Sequence, residues 1–95
     1  MRIGSFKAKA DKVGELLQIY QNDAIPVIKA APGNAGAFIL QQHSDPYSLL
    51  ACTVWGTKED AENYHKSGQA AEMVNKIKHT FEGPPELLTY ESYGI

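Results

Sequence analysis

The chain has 95 residues, which is enough for one hydrophobic core and too few for two, so we expect a single domain over residues 1–95. A hydrophobic fraction of 43% and a charged fraction of 21% are those of a globular protein and exclude a disordered chain. The formal net charge of −2 argues against nucleic acid as a partner, because no basic surface is available to neutralise phosphates.

The N-terminal part of the chain predicts a strand and then a long helix. Residues 2–9 are short and mixed in character, and they predict the first strand. From Asp11, a residue suited to the N-cap, apolar residues recur in steps of three and four as far as Ala31, which is the period of a helix. Because Pro26 lacks a backbone donor, we expect this helix to kink or break between residues 22 and 25.

The middle of the chain predicts a hairpin and a short helix. Two apolar, β-rich runs, 37–43 and 48–56, are separated by the turn sequence SDPY, which is typical of antiparallel strands. A helix is expected over residues 60–66, with Thr57 as its cap and acidic residues in its first turn.

The C-terminal part predicts one more helix and one more strand. A helix is predicted to start at Ser67, with Ala70, Met73, Val74, Ile77 and Phe81 on one face, and Gly83 with the two prolines after it should end that helix. Residues 86–93 predict the last strand. The element order is then β-α-β-β-α-β, which predicts a ferredoxin-like α+β fold with a four-stranded antiparallel sheet and both helices on one face.

The predicted strands carry apolar side chains on both of their faces. Leu49 and Leu50 are neighbours on one strand and therefore point to opposite faces, as do Phe38 and Ile39 on another. Helices can cover only one face of the sheet, so the other would be bare in a single chain. We therefore expect the chain to bind a second copy of itself, sheet against sheet, as a homodimer.

Five stretches, in this order and at this spacing, resemble the antibiotic biosynthesis monooxygenase family. They are SFKAKADKVGELL at 5–17, the Pro-Gly pair at 32–33, DPY at 45–47, TVWGTKEDAENYHKS at 53–67 and GPPELLTYES at 83–92. The resemblance covers essentially the whole chain. It implies a dimeric α/β barrel in which each subunit has a ligand cavity between its helices and its sheet.

The resemblance also suggests roles for individual residues. Trp55 matches the tryptophan at the end of the family's third strand, and Ser67 matches a small hydroxyl residue twelve positions later. Tyr64 stands where relatives often have histidine, or tryptophan in haem degraders. Gln69 stands where another histidine is common, so the usual acid/base histidines are replaced here.

We expect neither a cofactor nor a metal. The iron-ligating histidine of haem-degrading relatives falls near Val74, which cannot bind iron, so haem degradation is not expected. Glu62 and His65 resemble half of a carboxylate-histidine metal site, but the sequence has no second such pair.

Three residues are predicted to be catalytic: Trp55, Tyr64 and His65. Trp55 can stack on a flat aromatic substrate and donate its N–H, Tyr64 can donate a hydrogen bond, and His65 can titrate near neutral pH. Each also has a purely structural interpretation, as a core side chain or as a surface residue. The predicted substrate-binding residues are Trp55, Tyr64, Ser67, His43 and Phe38.

Three functions remain open. The resemblance favours a cofactor-independent monooxygenase acting on a small aromatic or quinol-like substrate. An acid/base isomerase of a small oxygenated metabolite would depend on His65, and a non-catalytic dimer would only bind a small hydrophobic ligand.

The expected location is the cytoplasm. Cys52 is the only cysteine, which fits a reducing compartment. The first residues lack the apolar core of a secretory signal, and no apolar run approaches the roughly 20 residues of a membrane span, so no membrane partner is expected.

Overall fold

The computed structural model, which describes residues 1–91 and 93, contains a four-stranded antiparallel sheet with its helices on one face. The strands follow the order β2-β3-β1-β4 across the sheet. They are β1 (Arg2–Lys7), β2 (Asn34–Gln41), β3 (Ser48–Trp55) and β4 (Glu86–Thr89). The ferredoxin-like α+β fold is therefore confirmed. Of the predicted bounds, β2 begins three residues earlier than expected, and β4 ends at Thr89, so it has half of its predicted length. The predicted last strand included Ser92, which lies outside the described residues.

The first connection is one long helix with an irregular turn in its middle. It comprises α1 (Val13–Ile19), a π-helical turn (Tyr20–Ala24) and α2 (Ile25–Lys29). The irregularity expected before Pro26 is present, and the chain stays helical through it, because the N–H of Ile25 reaches back five residues to the carbonyl of Tyr20. Lys12, not Asp11, occupies the N-cap, so that predicted boundary was wrong by one residue.

The second connection is a pair of helices. The first, α3 (Lys58–Lys66), is capped as predicted, since the Thr57 hydroxyl accepts a hydrogen bond from the Asp60 N–H at 3.1 Å. The second, α4 (Gln69–Ile77), begins after Gly68, whose φ of 86° is in the left-handed region that favours glycine.

The helix predicted from Ser67 to Gly83 ends earlier than expected. A 3₁₀ turn (Lys78–Thr80) follows α4, and Phe81 is extended and pairs with Ala8 next to β1. The Phe81 ring stacks on Phe6 with centroids 4.9 Å apart. This tertiary contact buries Phe81 on the sheet, and it outweighs the helical pattern that the local sequence carries.

The register of the strands separates the sheet into two faces. The inner face, under the helices, carries Gly4 opposite Ala51 and Phe6 opposite Leu49. The outer face carries Ile3, Phe38, Leu40, Leu50, Cys52, Val54 and Leu88. Four of these remain substantially exposed in the single chain: Phe38 (39%), Leu40 (47%), Leu50 (38%) and Leu88 (45%). The prediction of an uncovered apolar face is confirmed.

Gly33, in the turn before β2, packs against the connection between β3 and α3. Its φ is +81°, and a Cβ atom at this position would collide with the Asp60 side chain. The Gly33 carbonyl also accepts a hydrogen bond from the Gly56 N–H at 2.8 Å. The turn after α2 is thereby held against the start of α3, which determines how α3 lies over the inner face.

Candidate functional site

A cavity of about 420 Å³ lies between the inner face of the sheet and the helices. Its walls come from β1, β3 and β4, from the π-helical turn, and from α2, α3 and α4, and apolar side chains dominate them. The volume falls in the range of small-molecule sites, which are typically apolar clefts with a few polar groups. In a cavity of this kind the few polar groups determine the orientation and the specificity of a bound ligand.

Trp55 and Tyr64 form an aromatic pair in the cavity wall. Their ring centroids are 5.1 Å apart and the rings are tilted by 33°. Trp55 is the last residue of β3, and Tyr64 lies in the second turn of α3. The short connection between the two elements brings the two rings together. The pair presents aromatic surface suited to a flat ligand.

The indole N–H of Trp55 already has a partner. It donates a hydrogen bond to the Thr53 hydroxyl oxygen at 2.9 Å, two residues earlier on the same strand face. The sequence predicted this N–H as a hydrogen-bond donor to a ligand. The observed bond instead fixes the orientation of the indole ring and leaves its face as the group that can contact a ligand.

The hydroxyl group of Tyr64 is buried and, within the described part of the chain, has no hydrogen-bond partner. Burial raises the pKa of Tyr64, so the phenol stays protonated at neutral pH and serves as a donor rather than a base. Tyr20 also lines the cavity, and its pKa is raised as well, mainly by burial and to a lesser extent by the nearby Tyr64 and Cys52. An unpartnered buried hydroxyl is a stability cost that a ligand oxygen could relieve.

Arg2 supplies a permanent positive charge to the same wall. It lies on the inner face, in register with Thr53 and Thr89, and its Nε atom is buried without a hydrogen-bond partner among residues 1–91 and 93. A second, smaller cavity of about 280 Å³ at the start of α3 is lined by both Arg2 and Trp55. These two side chains therefore stand between the two cavities.

The structure brings the three predicted catalytic residues to one cavity. Trp55, Tyr64 and His65 all line it, and His65 is solvent-exposed at its edge. Their roles in a reaction remain predictions, which the geometry makes possible.

The cavity lining does not include three of the residues predicted to bind substrate, Ser67, His43 and Phe38, and their role in binding stays a prediction. The Ser67 hydroxyl donates to the Tyr64 carbonyl at 2.6 Å and accepts from the Gln69 N–H at 3.3 Å, so it joins α3 to α4. His43 is exposed in the hairpin loop. Phe38 pairs in register with Cys52 and therefore lies on the outer face. The geometry of this cavity gives these three residues no contact with a ligand held inside it.

Two residues that line the cavity, Arg2 and Tyr20, were not predicted from the sequence as site residues. Arg2 has the same parity as Gly4 and Phe6, so a charged residue on the inner face was visible in the pattern of β1. Tyr20 was counted as part of the apolar stripe of the first helix, and nothing in that stripe distinguishes a cavity wall from a filled core.

Two further observations concern other kinds of site. Among residues 1–91 and 93, no three His, Cys, Asp or Glu side chains are grouped as metal ligands would be. Within the same residues, no helix has the length and apolar character that crossing a bilayer requires.

Similarity to known proteins points to one family. The sequence model of the antibiotic biosynthesis monooxygenases matches residues 1–76, most of the chain. No curated protein matches the sequence.

Solved structures share the fold at low identity. A Nitrosomonas europaea protein assigned to the antibiotic biosynthesis monooxygenases is 19% identical, with a TM-score of 0.82 over 96% of this chain and 95% of that one. A Deinococcus radiodurans protein with the same assignment is 16% identical, with a TM-score of 0.83 over 100% and 95%. The Streptomyces coelicolor monooxygenase from the gene ActVA-Orf6, solved with the ligand nanaomycin D, is 15% identical, with a TM-score of 0.83 over 99% and 87%.

Proposed function

The chain belongs to the antibiotic biosynthesis monooxygenase family, and from that premise we propose that it is a cofactor-independent monooxygenase of a small aromatic or quinol-like substrate. The observation that carries the proposal is the apolar cavity with the Trp55–Tyr64 pair in its wall. Its volume suits a ligand of two or three fused rings, and the indole face offers a surface on which such a ligand can stack.

The proposed reaction uses the substrate itself as the source of electrons. A phenol that loses its proton becomes an electron-rich phenolate, which can give electrons to dioxygen in a site that excludes water. One oxygen atom enters the ring and the other leaves as water, so that a phenol and dioxygen yield a quinone and water. His65, at the cavity edge, is the proposed proton acceptor, and Tyr64 is the proposed hydrogen-bond donor to the ring oxygen.

A second candidate function rests on the position of His65 in the cavity wall. An acid/base isomerase would use this imidazole to move a proton on a small oxygenated metabolite. Such an enzyme would consume its substrate without taking up oxygen. Oxygen uptake therefore separates the two candidates, and binding without any turnover would indicate a non-catalytic ligand-binding dimer.

The assembly is part of the proposal. The outer face, which no helix covers, exposes Phe38 and Leu40 on β2, Leu50 on β3 and Leu88 on β4. Contiguous apolar surface of this kind is typical of an interface. We expect a second copy of the chain to pack against it, which would complete the dimeric barrel.

Tyr64→Phe tests the proposed role of the hydroxyl group. The change keeps the ring that packs on Trp55 and removes only the unpartnered oxygen, so the melting temperature should be unchanged or higher. Oxygen uptake with an active quinol should fall about ten- to a hundredfold, because a hydrogen bond to a charged oxygen is lost. An oxygen electrode and thermal unfolding by circular dichroism measure the two effects.

Tyr47→Phe is the matched control, since Tyr47 lies in the exposed hairpin turn and does not line the cavity. It should leave both measurements unchanged. Wild-type oxygen uptake that Tyr64→Phe does not alter would reject the role of this hydroxyl. Absence of uptake over a broad panel of quinols and phenols would reject the monooxygenase.

A further inference from the structure

The charge of Arg2 has no counterion in the described structure. The side chain is half-buried, and its Nε atom is fully buried without a hydrogen-bond partner among residues 1–91 and 93. The ion pairs of the described chain join Lys7 to Asp45, and Lys12 and His79 to Glu15, so none of them involves Arg2. Partly desolvating a guanidinium group without a partner is unfavourable, and a bound anion would offset that cost.

The groups around Arg2 do not supply that anion. Glu86 lies at the edge of the main cavity, but it is in register with Ser5 and so belongs to the outer face. Glu91 lines the second cavity and forms no ion pair with Arg2 in the described structure. The two tyrosines that line the main cavity from the helices, Tyr20 and Tyr64, supply no anion either, since both stay protonated at neutral pH.

The position of Arg2 relates its charge to the aromatic surface. Arg2 and Trp55 line both cavities, and Thr53 is the register partner of Arg2 as well as the hydrogen-bond acceptor of the Trp55 indole. A flat ligand stacked on Trp55 would therefore have its edge near the guanidinium group. Guanidinium binds ionised oxygen in preference to neutral oxygen, because a charge-assisted hydrogen bond is roughly twice as strong as a neutral one.

We infer that Arg2 determines specificity by selecting aromatic ligands that carry an ionised oxygen, as a phenolate or a carboxylate. A cationic ligand is repelled, and a purely apolar one leaves the guanidinium group without a partner. The inference rests on the proposed function and deepens it, because the phenolate that Arg2 selects is the form that reacts with dioxygen. Arg2 thereby favours the reactive ionisation state in the bound ligand.

Calorimetric titration with two matched probes tests this. The first probe is 2-hydroxy-1,4-naphthoquinone, which is ionised at neutral pH, and the second is its neutral methyl ether, 2-methoxy-1,4-naphthoquinone. The wild-type chain should bind the ionised probe at least about tenfold more tightly than the ether. In Arg2→Met the preference should fall to within about twofold, mainly through weaker binding of the ionised probe, while Arg2→Lys should keep part of it.

Lys9→Met is the charge-matched control, because Lys9 is exposed and does not line either cavity. It should keep the wild-type preference, and circular dichroism establishes that each variant is folded. Equal affinity of the wild-type chain for the two probes would overturn the inference without any variant, as would an undiminished preference in folded Arg2→Met.

The titration needs no turnover, so it is independent of the proposed reaction. Preference for the ionised probe in a protein that takes up no oxygen would uphold the role of Arg2 and reject the monooxygenase. Oxygen uptake by a protein with no such preference would reject the role of Arg2 alone.

Discussion

Replacing Trp55 with alanine is expected to weaken the binding of 2-hydroxy-1,4-naphthoquinone by about ten- to a hundredfold. The substitution removes the indole face from the cavity wall and the aromatic contact with Tyr64. Aromatic pairs are worth about 0.5–1.5 kcal/mol beyond the area that they bury, and tenfold in affinity corresponds to about 1.4 kcal/mol. Oxygen uptake should fall by at least the same factor.

Trp55→Phe separates the two roles that a tryptophan could have here. Phenylalanine keeps an aromatic face but lacks the N–H, which in the structure is bonded to Thr53 and not free for a ligand. Binding should therefore stay within about threefold of wild type, a difference of under 1 kcal/mol. If phenylalanine impaired binding as much as alanine did, N–H donation to the ligand would be the better explanation. If neither change mattered, Trp55 would not belong to the ligand site.

Leu50→Asp is expected to separate the proposed dimer into single subunits. Leu50 lies on β3 in the interior of the sheet, on the outer face, and is exposed in the single chain. In a symmetric dimer the substitution would bury one carboxylate from each subunit in an apolar interface, which is costly. The dissociation constant should rise by at least about a hundredfold, since several kcal/mol are lost.

Sedimentation at micromolar concentration measures this effect. The wild-type chain should sediment at twice its chain mass of 10.4 kDa, and Leu50→Asp at the mass of one chain. Tyr47→Asp places the same charge on an exposed apolar residue of the hairpin turn and should remain a dimer. A wild-type chain that sediments as a stable, folded single subunit would contradict the proposed assembly.

The sequence predicted those elements whose signals are local. The cap at Thr57, the hairpin turn and the irregularity before Pro26 each depend on a few neighbouring residues, and all three are present in the structure. The end of the second helix was not predictable in this way. Phe81 fits the helical pattern, and only its stacking on Phe6, 75 positions away in the chain, explains why it leaves the helix.

The candidate site was predictable in part for the same reason. Trp55 and Tyr64 are nine positions apart, and a strand followed closely by a helix brings them together. Phe38 could not be assigned, because its strand is apolar on both faces and only the register with β3 shows which way it points. Arg2 was missed because the meaning of its charge depends on partners that it lacks, which only the folded chain reveals.

The most direct test of the central claim, that a flat oxygenated aromatic ligand binds against Trp55 inside the cavity, uses the fluorescence of the protein itself. Trp55 is the only tryptophan of the chain, so its emission reports on this one site. Titration with 2-hydroxy-1,4-naphthoquinone should quench the emission saturably, with a stoichiometry of one ligand per chain and beyond the quenching of free N-acetyltryptophanamide. Quenching that only rises linearly, and no more steeply than for the free indole, would contradict the account.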